Sequence, residues 1–163
     1  MALLVDPAYR TVAESDIKEV QAAAHTLGLE LHVLNASTER DFDRVFAKLI
    51  QLRAGGLVIG GGGFFGSRSE QLAALTVRHA VPAIYFGREF AVAGGLLSYG
   101  ADIPDAYRLA GIYIGRVLKG ERPADLPVQQ ATKVELIINL KTAKALAIAV
   151  PNTLIGRADE VIE

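Results

Sequence analysis

The chain has 163 residues, of which 51% are hydrophobic, and its 17 basic and 18 acidic residues give a formal net charge of −1. This balance leaves no basic excess of the kind that binds nucleic acid or an anionic membrane surface. The chain contains no cysteine, which excludes disulfide bonds and thiolate metal sites. No apolar run reaches the roughly 18 residues of a membrane span. The first residues predict a strand and lack the basic start of a signal peptide.

Short apolar runs alternate with helical periodicities over the first 86 residues. The runs predict strands at 2–5, 29–34, 57–59 and 83–86. Between them, apolar side chains spaced as on one helix face predict helices that end near Gly28, near Ile50 and near His79. Connections this short impose parallel neighbours and right-handed crossovers. The sequence therefore predicts an α/β fold, an open and mostly parallel sheet with helices on both faces, in a Rossmann-like three-layer arrangement.

The last third has a different organisation. A fifth strand is expected at 96–99, a helix at 101–119 that Gly120 and Pro123 end, and an extended link at 123–130. A strand at 134–139 and short helices at 140–147 and 151–157 follow. This order predicts three parts: a ligand-binding α/β lobe at 1–100, a crossing helix with its link at 101–133, and a returning strand with C-terminal helices at 134–163.

The helix at 101–119 is apolar around most of its circumference. A helix that is apolar on more than one face must be buried on more than one side, and a small α/β lobe covers only one. A second lobe or a second copy of the chain is therefore expected to cover the rest. We expect a homodimer through this helix.

A glycine-rich loop, GGGFFG at 61–66, satisfies the pattern G-x-G-x-x-G after a predicted strand. With Glu89 23 residues beyond Gly66, it matches a dinucleotide-binding fingerprint. The pattern is weak by itself, and it follows the third strand rather than the first. Two other interpretations are a flexible strand-to-helix connection and a ligand loop in which Phe64 or Phe65 stacks on a flat ligand.

The residues that usually carry catalysis or metals show no supporting pattern. The histidines are far apart and lack metal-ligand spacing, and no serine lies in a G-x-S-x-G motif. Catalytic residues, metals and cofactors are therefore not expected.

Several polar and aromatic residues follow predicted parallel strands, at the edge where open α/β sheets bind ligands. They are Asp6, Arg88, Glu89, Tyr99 and Asp102. With Phe64 and Phe65 they form the predicted ligand-binding set. For Asp6 and Asp102, a role as turn residue or helix cap stays open.

From residue 68 onward the sequence resembles a known family. The resemblance lies in RHAVPAIY (78–85), REF (88–90), AGGLLSYG (93–100), VLKGERPADLPV (117–128), INLKTAKAL (138–146) and RADEVIE (157–163). These segments resemble the bacterial ABC-transporter substrate-binding proteins of the tryptophan/tyrosine-binding type. Their number and order, rather than any one motif, make the resemblance specific.

The resemblance implies a two-lobed fold of the periplasmic-binding-protein type I, about twice this length, that delivers a small molecule to an ABC permease outside the cytoplasm. It places residues 2–99 in the second lobe and the helix at 101–119 on the first. The family usually has an acidic, proline-containing loop at 60–63, Pro at Ala131, Phe at Val134, Gly at Ala147 and Pro at Asn152.

The leading hypothesis is a non-catalytic substrate-binding component, or a truncated relative of one, in which Arg88, Glu89 and aromatic rings hold an amino acid. A nucleotide-binding enzyme that uses the loop at 60–66, and a self-associating structural module, remain the alternatives.

Overall fold

Seven strands form one sheet in the order β2-β1-β3-β4-β5-β6-β7 in the computed structural model, which describes residues 1–130 and 132–163. The strands are β1 (Ala2–Val5), β2 (His32–Asn35), β3 (Leu57–Ile59), β4 (Ala83–Tyr85), β5 (Leu97–Ala101), β6 (Val134–Asn139) and β7 (Glu160–Ile162). The helices are α1 (Arg10–Thr26), α2 (Arg40–Leu52), α3 (Gly63–Gly66), α4 (Ser69–Arg78), α5 (Arg88–Val92), α6 (Ile103–Leu118), α7 (Leu140–Ala145) and α8 (Asn152–Ile155), with a 3-10 turn at Pro123–Asp125.

The first five strands are parallel, β6 returns antiparallel to β5, and β7 is parallel to β6. The predicted open, mostly parallel α/β sheet is confirmed. The strands of 134–163 complete the sheet that residues 1–101 begin. No helix in the described ranges is long and apolar enough to cross a membrane.

Three short elements do not follow from the sequence pattern: α3, α5 and β7, which have only three to five residues each. Elements of that length show too few side chains to display a helical or alternating period. Strand β2 begins at His32 rather than at Leu29, because the Leu29 amide donates to the carbonyl of Ala24 and closes the end of α1.

The two faces of the sheet are covered unequally. On one face, α2, α3, α4 and α5 bury a core that includes Phe42, Phe46, Phe65, Leu72 and Phe90. On the other face, the side chains of α1 pack over β1 and half-cover Val58 of β3. Ile50, which the periodicity assigns to the apolar stripe of α2, is 55% exposed because it lies at the margin of that stripe.

Helix α6 leaves the sheet, and none of its sixteen residues is buried. It begins at Ile103, two residues later than the pattern predicts, because Asp102 occupies the N-cap and accepts a hydrogen bond from the Asp105 amide at 3.0 Å. Its apolar side chains include Tyr107, 75% exposed, and Leu118, 82% exposed. The lobe leaves α6 uncovered, as its composition predicts.

Two of the expected family differences can be located. Ala147 follows α7 with a φ of 55°, in the left-handed region that glycine occupies at lower cost than alanine. The position at which the family has glycine is therefore one where the backbone favours it. The difference at Ala131 lies outside the described residues.

Candidate ligand-binding edge

Strands β1, β3, β4 and β5 end at the same edge of the sheet, because they run parallel. The chain leaves this edge through Asp6, the loop at 60–63, Phe86 and Asp102. Open α/β sheets bind ligands outside the carboxyl ends of their strands. We examine each predicted site residue in this frame.

Asp6 is 3% exposed and holds the turn after β1 together. Its Oδ1 accepts hydrogen bonds from the Ala8 amide at 3.0 Å and from the Ser37 hydroxyl at 2.6 Å. The first bond closes an Asx turn and the second ties the end of β1 to the residues after β2. Asp6 therefore shapes the edge, in the turn role that the sequence left open.

The two phenylalanines of the glycine-rich loop anchor it to the core. Phe65 has no exposed surface, and the half-buried Phe64 stacks on Phe42 of α2 with ring centroids 5.6 Å apart. Both rings are engaged within the protein, so a ligand that contacted Phe65 would have to displace it from the core. What the loop presents to solvent is backbone, at Gly61 to Gly63.

Arg88 lies at the edge, but its guanidinium is bound by two carboxylates. It donates to Glu160 of β7 at 2.7 Å and to Glu135 of β6 at 3.3 Å. The hydrogen bond to Glu160, with the charges of both carboxylates, raises the pKa of Arg88. Glu89, its neighbour, is exposed. Arg88 therefore joins the start of α5 to the last two strands, and the exposed carboxylate next to it is the freer group.

Asp102 is the cap that the sequence analysis considered, and it also forms an ion pair. Lys133 donates to its Oδ2 at 2.6 Å. This hydrogen bond, together with the one from the Asp105 amide, lowers the pKa of Asp102. Asp102 serves the start of α6 and the approach to β6.

Tyr99 is 56% exposed and borders a small cavity of about 170 Å³ on the α1 face of the edge. Phe86, Gly60, Gly61 and Asp16 also line this cavity. Of the predicted residues, Tyr99 is therefore the one whose side chain faces an open space. Gly100 beside it is required, since a β-carbon there would collide with the carbonyl of Phe86.

Asp16 and Tyr9 belong to the edge and were missed by the sequence analysis. Asp16 of α1 accepts a hydrogen bond from the Gly61 amide at 2.9 Å, across 45 residues of sequence. Tyr9, half exposed, lies beside Gly62 and Gly63. Neither residue follows a strand directly, so the strand-end criterion could not select them.

The comparisons with known proteins can now be set beside this geometry. The model of a family described as ABC transporter substrate binding protein matches residues 2–162. The chain belongs to this family. No match was found among curated proteins.

Solved structures show the same fold for this ABC substrate-binding family member. An ABC domain in complex with L-Trp from Streptococcus pneumoniae has a TM-score of 0.82 at 22% identity, over 99% of this chain and 55% of that one. A conserved domain protein from Vibrio cholerae also has a TM-score of 0.82, at 20% identity over 98% and 53%. The ligand-free, open form of a substrate-binding protein with adhesive properties from Clostridium difficile has a TM-score of 0.70, at 16% identity over 99% and 53%. The chain thus spans about half the length of these proteins.

The alternative of a dinucleotide site in this family member depends on the loop at 60–66. The loop leads into α3, a single turn of four residues, and α4 starts only at Ser69. A dinucleotide fingerprint places pyrophosphate at the start of a long helix that directly follows the loop. The described residues contain no group of three His, Asp or Glu arranged to hold a metal ion.

Proposed function

We propose that the chain is the substrate-binding part of an ABC-type importer, that it binds a small molecule such as an amino acid at the carboxyl edge of the sheet, and that it performs no catalysis. Membership of the substrate-binding family carries this proposal. The L-Trp bound to the Streptococcus pneumoniae protein of the same fold favours an amino acid as the ligand class.

The chemistry of the edge suits such a ligand. Tyr99 and Tyr9 offer exposed rings for stacking on an apolar or aromatic side chain. The carboxylates of Asp16 and Glu89 are the candidates for an ammonium group, and the backbone of the glycine-rich loop is exposed for polar contacts. Arg88 would contact a ligand carboxylate only by sharing its guanidinium with Glu135 and Glu160.

The proposal extends to location and partners as the family resemblance implies them. The protein acts outside the cytoplasm and delivers its ligand to an ABC permease. A cleft that buries most of a small ligand needs two walls, and the described lobe provides one.

Isothermal titration calorimetry of the 163-residue chain against the twenty amino acids, NAD and ATP tests the function. Saturable binding of an amino acid, weakened at least tenfold in Tyr99→Ala and unchanged in Val33→Ala, is expected. Val33 is the matched control because it is an exposed residue of β2, at the far side of the sheet. A folded protein that binds none of the amino acids, or that binds only a nucleotide, would overturn the proposal.

A further inference from the structure

The α1 face of the sheet has an open apolar trench over β3, β4 and β5. A cavity of about 560 Å³ at the amino ends of these strands and the 170 Å³ cavity near Tyr99 share Val58 and Ile84, so they form one continuous depression. We define the trench by the side chains that line it: Met1, Leu29, Val58, Pro82, Ile84 and Leu97.

The trench is built to receive an apolar element. Among its described lining residues Asp16 is the one charged side chain, and it lies at the carboxyl end with its Oδ2 bound to the Gly61 amide. A half-covered sheet face in a three-layer α/β fold is normally closed by a second helix beside the first. The missing layer is therefore a helix that lies next to α1.

Helix α6 has the complementary surface. Its exposed apolar side chains are Ile103, Tyr107, Ile112, Ile114, Val117 and Leu118. Sixteen residues give it a length of about 24 Å, which is enough to follow the strands from one edge of the sheet to the other. The same chain thus carries an uncovered apolar helix and an uncovered apolar seat for a helix.

The connection to β5 prevents α6 from folding back into the trench of its own sheet. Asp102 is the one residue between β5 and α6. It is held on both sides, because its amide donates to the carbonyl of Lys133 and its carboxylate accepts from the Lys133 ammonium and the Asp105 amide. Reversal of the chain direction needs a loop of several residues, so α6 continues away from the lobe.

We propose that two copies of this chain exchange their α6 helices, each helix lying in the trench of the other copy. A two-fold pair satisfies both uncovered surfaces of both copies at once, through two identical interfaces. A short, constrained hinge such as Asp102 is the feature that favours exchange of an element between copies over closure within one. Because α6 leaves from the carboxyl edge, the exchange also brings the two carboxyl edges toward each other. That last point rests on the proposed function, for which the second copy would supply the second wall.

The first test is the mass of the intact chain in solution, by light scattering without ligand. We expect twice the 17.4 kDa of one chain. Ile114→Asp in α6 and Ile84→Asp in the trench should each give a monomer with an unchanged far-ultraviolet circular dichroism spectrum. A monomer for the unsubstituted chain at about 100 µM would overturn the proposal.

The second test identifies the contact, and the absence of native cysteine makes it clean. Two single-cysteine proteins, Ile114→Cys and Ile84→Cys, are mixed, exchanged through mild urea and treated with a short bis-maleimide. We expect a cross-linked product between the two proteins, at least fivefold more than from Ile114→Cys mixed with Val33→Cys. A dimer that links Ile114→Cys mainly to itself would mean helix-to-helix packing and would overturn the exchange. Because neither test uses ligand, a failure of the ligand titration would leave these results standing.

Discussion

Lys133 donates a hydrogen bond to the carboxylate of Asp102 over 2.6 Å, and so joins the first turn of α6 to the residue before β6. The two residues are 31 positions apart, and the Asp102 amide also donates to the Lys133 carbonyl at 3.0 Å. The direction in which α6 leaves the sheet depends on this pair.

The pair makes stability depend on acid pH. Its hydrogen bonds lower the pKa of Asp102 from the ordinary 3.8, so the stabilisation is complete above that value and is lost as the pH falls toward the lowered folded value. Asp102→Asn keeps the cap but removes the charge. We expect urea unfolding between about pH 5 and pH 2 to show a smaller acid loss in this variant than in the parent.

The reciprocal variant Lys133→Gln should flatten the acid limb in the same way. The double variant should add nothing further, because one interaction is removed in both cases. Equal acid limbs in parent and variants would show that the pair does not contribute.

Arg88 is expected to act on stability through its two carboxylates. Arg88→Gln should lower the free energy of unfolding by roughly 0.5–1 kcal/mol, a value kept small because the guanidinium is partly exposed and screened. The loss should shrink in 0.5 M salt. A double-mutant cycle with Glu160→Gln measures the coupling, and Arg157→Gln, an exposed arginine outside this cluster, is the control. A coupling of zero would contradict the clamp.

Ala147 is expected to be a site where glycine stabilises. Its φ of 55° is costly for alanine by about 1–2 kcal/mol, and the greater freedom of glycine in the unfolded chain returns part of that. Ala147→Gly should therefore raise the free energy of unfolding by roughly 0.5 kcal/mol. The matched control is Ala149→Gly, two residues later on an exposed segment, which should destabilise. The same sign in both variants would disprove the assignment.

Tyr85 and Thr76 share a buried hydrogen bond of 2.6 Å, and the two substitutions should differ in cost. In Tyr85→Phe the Thr76 hydroxyl keeps its bond to the Ala73 carbonyl, so the expected loss is about 1 kcal/mol. In Thr76→Val the buried phenol loses its partner, so the loss should reach about 1–3 kcal/mol.

The same phenol predicts an alkaline effect. Burial raises the pKa of Tyr85 from 10.0 to about 12. The unfolded chain therefore releases this proton first, and stability should fall between pH 10 and pH 12. The fall should be smaller in Tyr85→Phe. Ultraviolet titration of the native chain should show one of its five tyrosines ionising last.

The sequence predicted the strands well because β1, β3 and β4 are short apolar runs bounded by glycine, proline or aspartate, and such runs identify a buried parallel sheet. It predicted the unpartnered state of α6 for a similar reason, since its composition does not allow a single buried stripe. The antiparallel direction of β6 and the existence of β7 did not follow, because three residues such as Glu160–Ile162 carry no period.

The edge could be predicted only in outline. The strand ends named Tyr99 correctly as an edge residue with an exposed ring, but the partners of Arg88 are 47 and 72 residues away and no local pattern announces them. Asp16 is similar, because its bond to the Gly61 amide depends on how α1 lies over the sheet. Residue type indicates what a side chain can bind, whereas the tertiary fold decides which groups have already claimed it.

The single residue between β5 and α6 also has a mechanical consequence. A rigid rod about 24 Å long that pivots at one end turns a rotation of about 10° into a displacement of about 4 Å at the other. A slight change in the twist of β5, at the wall that carries Tyr99, would thereby move Leu118 by more than the width of a methyl group. The helix is the lever arm of the molecule, and Asp102 is its fulcrum.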